Sequence, residues 1–304
     1  MSLASRLYHG ETSYDIVGRR RLWFTISAAL VVISLISLVV PGLNFGIDFK
    51  GGAVFRVQPT KAVTEAQVRR AVGSAAEVVQ ISETDPVQVI VQTEELPPDE
   101  VARIRTELAQ VGGVERNGVS TETIGSKWGS TVSRKAVIAL LAFLVAVTIY
   151  VSLRMEFKMA VAALVALLHD LIITSGIFAL SRFEVTPATV IALLTILGYS
   201  LYDTVVVFDK VRENTAPGVS GDLLGNINLA VNQTLVRSIN TSIVATLPIA
   251  SILFIGALLL GAGTLRDISL ALFIGTIVGT WSSIFVAAPV YAWLRQGDTI
   301  APEA

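Results

Sequence analysis

The chain has 304 residues, of which 53% are hydrophobic and 15% are charged, and its formal net charge is −1. Its mean hydropathy is +0.67, whereas a soluble protein carries about a quarter charged residues, so the composition predicts an integral membrane protein and no basic surface for nucleic acid. The lack of cysteine excludes disulfides, thiol catalysis and zinc–thiolate centres, and two histidines are too few for an all-histidine metal site.

The first apolar run covers residues 22–40 and directly follows three arginines at positions 19–21. A signal peptide has a shorter apolar core of roughly 7–15 residues and a cleavage site of small residues. This run is longer and ends in Pro41-Gly42. We therefore expect a retained first membrane span at 22–42, preceded by an N-terminal segment at 1–21.

Five further runs are long enough to cross a membrane as helices, since a span needs about 20 apolar residues. They lie near 136–153, 159–180, 188–208, 239–261 and 268–294. A stretch of ordinary soluble composition separates the first run from the second. The predicted architecture is an α-helical membrane protein with one span, an extramembrane domain at 43–133, and a five-helix bundle at 134–295.

The loop charges predict the orientation, because lysine and arginine are enriched in cytoplasmic loops. Most of the cations in short flanks fall on the side of the N-terminus. Both terminal segments, 1–21 and 296–304, are therefore expected in the cytoplasm and the 43–133 domain outside. Lys127, Arg134 and Lys135 oppose this pattern, although they follow a loop too long for the rule to be strong.

The 43–133 region alternates between strand and helix patterns. Strands are predicted at 53–57, 77–82, 87–93 and within 114–124, with helices starting after Thr64 and at Pro98. The order β-α-β-β-α-β predicts a ferredoxin-like fold. No catalytic cluster lies in this region, so we expect the domain to contact another chain.

The longest cytoplasmic connection is predicted at 209–238. Residues 220–222 are suited to capping an amphipathic helix that lies on the membrane surface or on a neighbour. The alternative is a solvated connector without such a role.

Asp203 is the charged residue of the fourth apolar run, and a charge at this depth costs about 2.5–3.5 kcal/mol on insertion scales. Arg237 lies at the same end of the fifth run. A carboxylate whose pKa is balanced between burial and a nearby cation can take up and release a proton. Spacing alone leaves two interpretations open, a proton relay and a static ion pair that fixes two helices.

His169 and Asp170 lie midway along the third run. Two interpretations are open for them, a pair that carries protons and a buried hydrogen-bonded pair. Adjacent positions of a helix point about 100° apart, so the two do not form a chelating face. Further polar residues near Asp203 are predicted to support it, with the tyrosines as hydrogen-bond donors or as packing residues. They are Tyr199, Tyr202, Thr204, Asn240 and Thr241.

Motifs for enzymes are missing from the sequence: there is no nucleophile–base constellation, phosphate loop or metal-ligand spacing. We expect neither an enzyme nor a cofactor or metal site. The remaining energy source is a proton gradient, which supplies roughly 2.3 kcal/mol per proton at 100 mV.

Four motifs resemble the SecF branch of the SecD/SecF family, which belongs to the wider resistance–nodulation–division (RND) superfamily. The run NFGIDFKGG at 44–52 is similar to the family's GIDFxGG motif, and His169-Asp170 matches an HD pair in its third span. Residues 198–214 and 232–242 resemble the family's blocks around the fourth and fifth spans. The motifs occur in the family's order over nearly the whole chain.

The resemblance implies a protein-export subunit of the bacterial inner membrane that contributes six of twelve spans and pairs with SecD. Such a pair assists the SecYEG channel, the SecA motor and YajC-type subunits, contacts unfolded preprotein and membrane lipid, and uses the proton-motive force. Asp203 and Arg237 are then implicated in proton passage. The alternative is half of a proton-coupled RND exporter of small molecules or lipids.

One residue departs from the family pattern, because Tyr202 stands where many relatives have asparagine. Gly46, Gly51 and Gly52 are expected to permit a tight reversal of the chain where it leaves the membrane. Asp48 lies outside the membrane, where we expect a structural or interface role.

Overall fold

The computed structural model describes residues 14–82, 87–216, 218–219, 221–259 and 263–296. Residues 1–13 of the predicted segment 1–21 and residues 297–304 of the predicted segment 296–304 lie outside these ranges. Six helices of the described chain are long and apolar enough to cross a membrane, which confirms the six predicted spans.

The first half of the chain contains one long helix, a short junction and a sheet domain. In chain order the elements are α1 (Arg20–Val39), β1 (Asn44–Phe45), α2 (Ile47–Lys50), β2 (Gly52–Val57), α3 (Glu65–Val72), β3 (Ala76–Ser82), β4 (Gln88–Thr93), α4 (Pro98–Gly112) and β5 (Val119–Ile124).

The second half contains the remaining membrane helices. They are α5 (Ser126–Arg154), α6 (Phe157–Ser181), the short β6 (Glu184–Val185), α7 (Pro187–Asn214), α8 (Leu223–Ala250) followed by a π-helical segment (Ser251–Leu259), and α9 (Gly263–Ser282), which continues through a second π-helical segment (Ser283–Ala287) into α10 (Ala288–Leu294). We call the end of the bundle that carries the sheet domain the domain side, and the other end the opposite side.

The predicted 209–238 connection is wrong in extent. Helix α7 continues to Asn214 and α8 begins at Leu223, so both ends of the predicted loop are helical. The predicted surface helix is the first part of α8, because Leu223, Ile227 and Ala230 are buried in the main core of the bundle. Their apolar face packs on helices rather than on a membrane surface. Ser220 lies outside the described residues, and Asp222 caps α8 by accepting from the Gly225 N–H.

The sheet domain has four antiparallel strands in the order β3-β4-β2-β5. Its element order agrees with the predicted β-α-β-β-α-β. Thr64 is the N-cap of α3, as predicted, and its backbone N–H donates to Gln67 Oε1 at 2.9 Å. Helices α3 and α4 cover one face of the sheet, with Phe55, Ile104 and Leu108 in the core.

The junction between α1 and the sheet depends on two glycines. Gly51 has φ +85° and Gly52 has φ +141°, a region that side-chain-bearing residues rarely adopt. A Cβ on Gly52 would also meet the carbonyl oxygen of Thr93. Both positions therefore favour a residue without a side chain. Gly46 differs, because its φ of −69° is ordinary and a Cβ there would instead meet the Glu184 carboxylate.

A second contact joins the junction to the far end of α6. Strand β1 pairs with β6 in parallel. Arg182, the left-handed C-cap of α6, donates to the carbonyls of Pro41 at 2.6 Å and Gly42 at 3.0 Å. The domain-side ends of α1 and α6 are therefore fixed to each other.

Small residues bring the membrane helices close together. Ser34 of α1 lies against Gly176 of α6, and Ser200 of α7 lies against Gly279 of α9, where a Cβ would fall 2.9 Å from the serine Cβ. Small residues are enriched at such interfaces because they let backbones approach. The second contact positions the polar groups described below.

The segment that precedes α1 is bound to α8 at the opposite side. Asn228 Oδ1 accepts from the backbone N–H of Ile16 at 2.9 Å and of Val17 at 3.0 Å. Asn232 Oδ1 accepts from the N–H of Tyr14 at 2.7 Å. The side-chain nitrogens of Asn228 and Asn232 both donate to the Tyr14 carbonyl oxygen. We call this contact the asparagine clamp.

Candidate functional site in the membrane bundle

Asp203 lies on α7 and is buried, with 4% of its surface exposed. Its Oδ1 accepts a hydrogen bond of 2.8 Å from the hydroxyl of Ser238 on α8. Its Oδ2 is buried and has no hydrogen-bond partner among the described residues. The carboxylate is therefore half satisfied inside this chain, an arrangement that is costly for a buried charge.

Arg237 precedes Ser238 on α8 but points elsewhere. Its side chain is exposed, and it makes no ion pair with Asp203 in the described structure. Adjacent helical positions are about 100° apart, so α8 directs Ser238 at this carboxylate and turns Arg237 away from direct contact with it. A static Asp203–Arg237 ion pair, one of the two interpretations open from the sequence, is absent from this conformation.

His169 and Asp170 form a second buried site on α6. Asp170 is 1% exposed and its Oδ2 accepts from Ser200 Oγ at 2.6 Å and Ser282 Oγ at 2.8 Å. Its Oδ1 lies 3.2 Å from His169 Nδ1. His169 Nε2 is buried without a hydrogen-bond partner among the described residues. Asp170 thus joins three helices, α6, α7 and α9, through one carboxylate.

Hydroxyl groups connect the surroundings of the two aspartates. Ser283 Oγ lies 2.9 Å from Thr204 Oγ1 and 3.2 Å from the Ser200 carbonyl oxygen. Ser200, Asp203 and Thr204 are three and four positions apart and so share one face of α7. Ser283 also opens a π-helical segment, a feature frequent at functional sites. We call this set, Asp170, Ser200, Asp203, Thr204, Ser238, Ser282 and Ser283, the polar seam.

Only some of the residues predicted to support Asp203 lie at the polar seam. Tyr202 is 56% exposed and does not bond to Asp203, because α7 turns it to the outside. Tyr199 has a buried hydroxyl without a hydrogen-bond partner among the described residues. Asn240 is exposed, and Thr241 donates to the Arg237 carbonyl on its own helix. Thr204 alone makes a hydrogen bond to another helix.

Four residues of the seam were not predicted as site residues. They are Ser200 in the fourth span, Ser238 in the fifth, and Ser282 and Ser283 in the sixth. A usable signal was the run Thr276, Thr280, Ser282 and Ser283 in an otherwise apolar helix, together with the i, i+3 and i+4 spacing of Ser200, Asp203 and Thr204.

Asp48 lies apart from the seam, in α2 at the junction. Burial raises the pKa of its carboxyl, and the negative charge of Glu122 raises it further, whereas Arg56 lowers it. Its position in the junction agrees with a structural role. Among the described residues there is no group of three or more His, Asp or Glu side chains that could hold a metal ion.

Comparisons with known proteins match this architecture. A family model described as protein export membrane protein SecD/SecF, C-terminal, matches residues 103–297, and a model of the SecD/SecF GG motif matches residues 36–63. The second match includes Gly51 and Gly52.

The chain belongs to the SecD/SecF family. It is 44% identical to a protein translocase subunit SecF of Mycobacterium tuberculosis, over 97% of this chain and 70% of the relative. It is 43% identical to the SecF subunit of Streptomyces coelicolor, over 98% of this chain and 81% of the relative. These findings confirm the family inferred from the motifs.

A solved structure agrees with the fold. The crystal structure of SecDF from a Thermus species, described as a translocon-associated membrane protein, has a TM-score of 0.81 and 29% identity, and the match covers 97% of this chain. The chain spans 40% of that longer SecDF chain.

Proposed function

We propose that the protein is a SecF-like subunit of the Sec protein-export machinery, and that with a SecD partner it uses the proton-motive force to promote preprotein translocation. The observation that carries the proposal is Asp203, buried in the membrane bundle with one oxygen bonded to Ser238 and the other unpartnered. Ionisable groups kept inside membrane helices typically mark ion pathways and proton relays.

A partner half-bundle accounts for the polar groups on the outside of this one. Arg237 and Asn240 are exposed on α8, and Val244 and Leu247 follow at helical spacing with 68% and 60% of their surface exposed. Tyr202 is exposed on α7. An arginine and an amide facing lipid are costly, so this face is better explained by contact with protein. SecD is the partner that the family implies.

The proton site is then completed between two chains. Arg237 lies one residue from the donor of Asp203 but turns toward the unpartnered face. A change in how the partner packs on α8 would alter the distance between this cation and the carboxylate, and thereby the affinity of Asp203 for a proton. Such a site links proton uptake to the arrangement of the two halves.

The remaining parts follow from this assignment. We place the protein in the bacterial inner membrane with both ends in the cytoplasm, so that the domain side faces outward. The strand order of the sheet domain and its two helices on one face support a ferredoxin-like description, and we assign this domain to contact with unfolded preprotein. SecYEG, SecA and YajC-type subunits are the further partners.

The proposal is tested with Asp203→Asn in vesicles that contain the partner, the channel and the motor. We expect proton-driven export to fall at least tenfold while the complex remains assembled. Asp209→Asn is the matched control, because Asp209 is exposed on the same helix and, within the described part of the chain, forms an ion pair with Arg212 at 3.3 Å. Unchanged export in Asp203→Asn, with a normal proton gradient, would overturn the coupling role.

The alternative, half of a proton-coupled exporter of small molecules or lipids, predicts a different result. In that case Asp203→Asn would abolish efflux of a small substrate and leave preprotein export intact. The sheet domain has only four strands and two long helices in its described part, which is little material for a substrate funnel and favours the first assignment.

A further inference from the structure

Helix α5 stands apart from the bundle on the domain side. Most of its membrane-spanning face is exposed, including Val137 at 57%, Leu141 at 57% and Val145 at 59%. Behind it, between α5, α6 and α7, lies a cavity of about 540 Å³. That volume falls within the roughly 300–1,000 Å³ of small-molecule sites. We call this cavity the α5 cleft.

The wall of the α5 cleft is apolar and its mouth carries a cation. Val137, Leu171 and Leu194 contribute aliphatic side chains from three different helices. Phe49 also lines the cleft, and its ring centroid lies 5.7 Å from that of Phe45. Lys50, the last residue of α2, lines the mouth and is exposed, and its ammonium group makes no hydrogen bond or ion pair with another described residue.

Further cations lie on the domain-side part of α5, although they do not line the cleft. Lys127, Arg134 and Lys135 are exposed and their side chains pair with no described residue. Trp128 beside them is 63% exposed, as expected for an aromatic residue at the membrane interface. These are the cations that oppose the charge rule used to orient the chain.

We propose that the α5 cleft binds one anionic phospholipid from the domain-side leaflet, with an acyl chain in the cleft and the phosphate at Lys50. The apolar wall suits a hydrocarbon chain, and the unpaired cations suit an anionic headgroup. A peptide segment fits poorly, because the wall of the cleft is apolar except for Ser133 and Ser175 and cannot satisfy the N–H and C=O groups of an inserted backbone. The cleft is also too small for a transmembrane helix of about 10–12 Å diameter.

Native mass spectrometry of the full chain tests this site. The protein is titrated with palmitoyl-oleoyl phosphatidylglycerol, which is anionic, and with the zwitterionic phosphatidylcholine of the same chains. We expect one phosphatidylglycerol to be retained selectively. Lys50→Gln should weaken its binding about fivefold, since one basic group near the surface contributes about 1 kcal/mol, and Lys50→Arg should retain it. Lys61→Gln, in the sheet domain, is the matched control.

A second variant tests the acyl-chain part of the site independently of charge. Ala136 lines the cleft, so Ala136→Trp should fill it and remove the retained lipid. Val145→Trp adds the same side chain to the exposed face of α5 outside the cleft and should leave binding unchanged. Folding of each variant is checked by thermal unfolding in the same detergent.

Three outcomes would overturn the proposal. Equal retention of the two lipids would show that no headgroup site exists. Full retention in both Lys50→Gln and Ala136→Trp would place the lipid elsewhere. Loss of the lipid when the partner chain is bound, with crosslinks from position 136 to that partner, would show that protein covers the cleft.

Discussion

Ser238 donates a 2.8 Å hydrogen bond to Oδ1 of Asp203, and this bond connects α8 to the buried carboxylate of α7. The opposite oxygen has no hydrogen-bond partner among the described residues. The hydrogen bond therefore fixes one oxygen of the Asp203 carboxylate, and the other oxygen stays available to a group that approaches it.

Ser238→Ala should impair proton-driven export without preventing assembly. The substitution leaves both oxygens of Asp203 without a donor, which costs about 1–3 kcal/mol for a buried group. Ser238→Thr keeps a hydroxyl and should restore most of the activity. The measurement is proton flux in vesicles containing the partner. Equal flux in the wild type and in Ser238→Ala would show that this bond has no part in coupling.

Arg237→Met should separate function from stability. Because Arg237 is exposed and pairs with no described residue, its loss should change the free energy of unfolding of the isolated chain by about 0.5 kcal/mol or less. Export with the partner should nevertheless fall strongly. Thermal unfolding in detergent and export in vesicles are measured on the same preparation. A large loss of stability in the isolated chain would instead indicate a structural role.

The partner face can be mapped with single cysteines, since the chain has none of its own. A cysteine at Asn240 should crosslink to the SecD partner through a short bifunctional reagent, because Asn240 lies on the exposed face with Arg237. Val145→Cys on α5, which is 59% exposed, is the control and should not crosslink. The reverse result would place the partner on the other side of the bundle.

Asp170→Ala should destabilise the chain by about 1–3 kcal/mol, because it removes the carboxylate oxygen that accepts from both Ser200 and Ser282 and leaves their buried hydroxyls without this acceptor. Asp203→Ala should be milder, since one hydroxyl among the described residues donates to Asp203. Unfolding midpoints of the two variants are compared in one detergent. Similar small shifts would show that Asp170 is not a structural link between helices.

Asp48 should make the stability of the chain depend on pH. Burial and the charge of Glu122 raise its pKa in the folded chain above the usual value of 3.8. As the pH rises, the unfolded chain therefore loses this proton at a lower pH than the folded chain does. The stabilising contribution of protonated Asp48 is complete below the unfolded-state pKa, and it is lost as the pH rises through the folded-state pKa. Asp48→Asn should remove that decline and make the chain more stable at neutral pH. The midpoint of thermal unfolding is followed from pH 4 to 7.

Gly52→Ala should destabilise the junction by about 1–3 kcal/mol, because of its positive φ and the close Thr93 carbonyl. Gly125→Ala is the matched control. Its φ is −72° and its nearest neighbour would be a side-chain oxygen of Glu95 at 3.6 Å. Limited proteolysis between α1 and β2 reports the effect. Equal protection in both variants would contradict the role of Gly52.

The membrane spans could be predicted from the sequence because each has enough apolar residues to satisfy a length rule. The amphipathic helix within 209–238 could also be predicted, but the surface on which it packs could not, because the burial of Leu223, Ile227 and Ala230 in the bundle is a tertiary contact. The sequence therefore predicts a helix in this region, but it does not predict that this helix continues without a break into the fifth span.

The candidate site was predicted in part for a related reason. Asp203 and His169-Asp170 stand out as ionisable groups in apolar runs, and both are buried as expected. The rotation of each helix about its axis is set by tertiary packing, which decided that Ser238 rather than Arg237 or Tyr202 meets Asp203. Serines in a membrane helix also resemble packing residues, so Ser282 and Ser283 indicate a site only when they are read together with Thr276 and Thr280 in the same helix.

The asparagine clamp has a practical consequence. Tyr14 is bonded to Asn232, six residues before Ser238 and about 9 Å along the same helix. Any fusion, tag or tether attached close to Tyr14 would therefore pull on the helix that supplies the donor of Asp203. A reporter protein joined there would report on, and also disturb, the part of the molecule it was meant only to label.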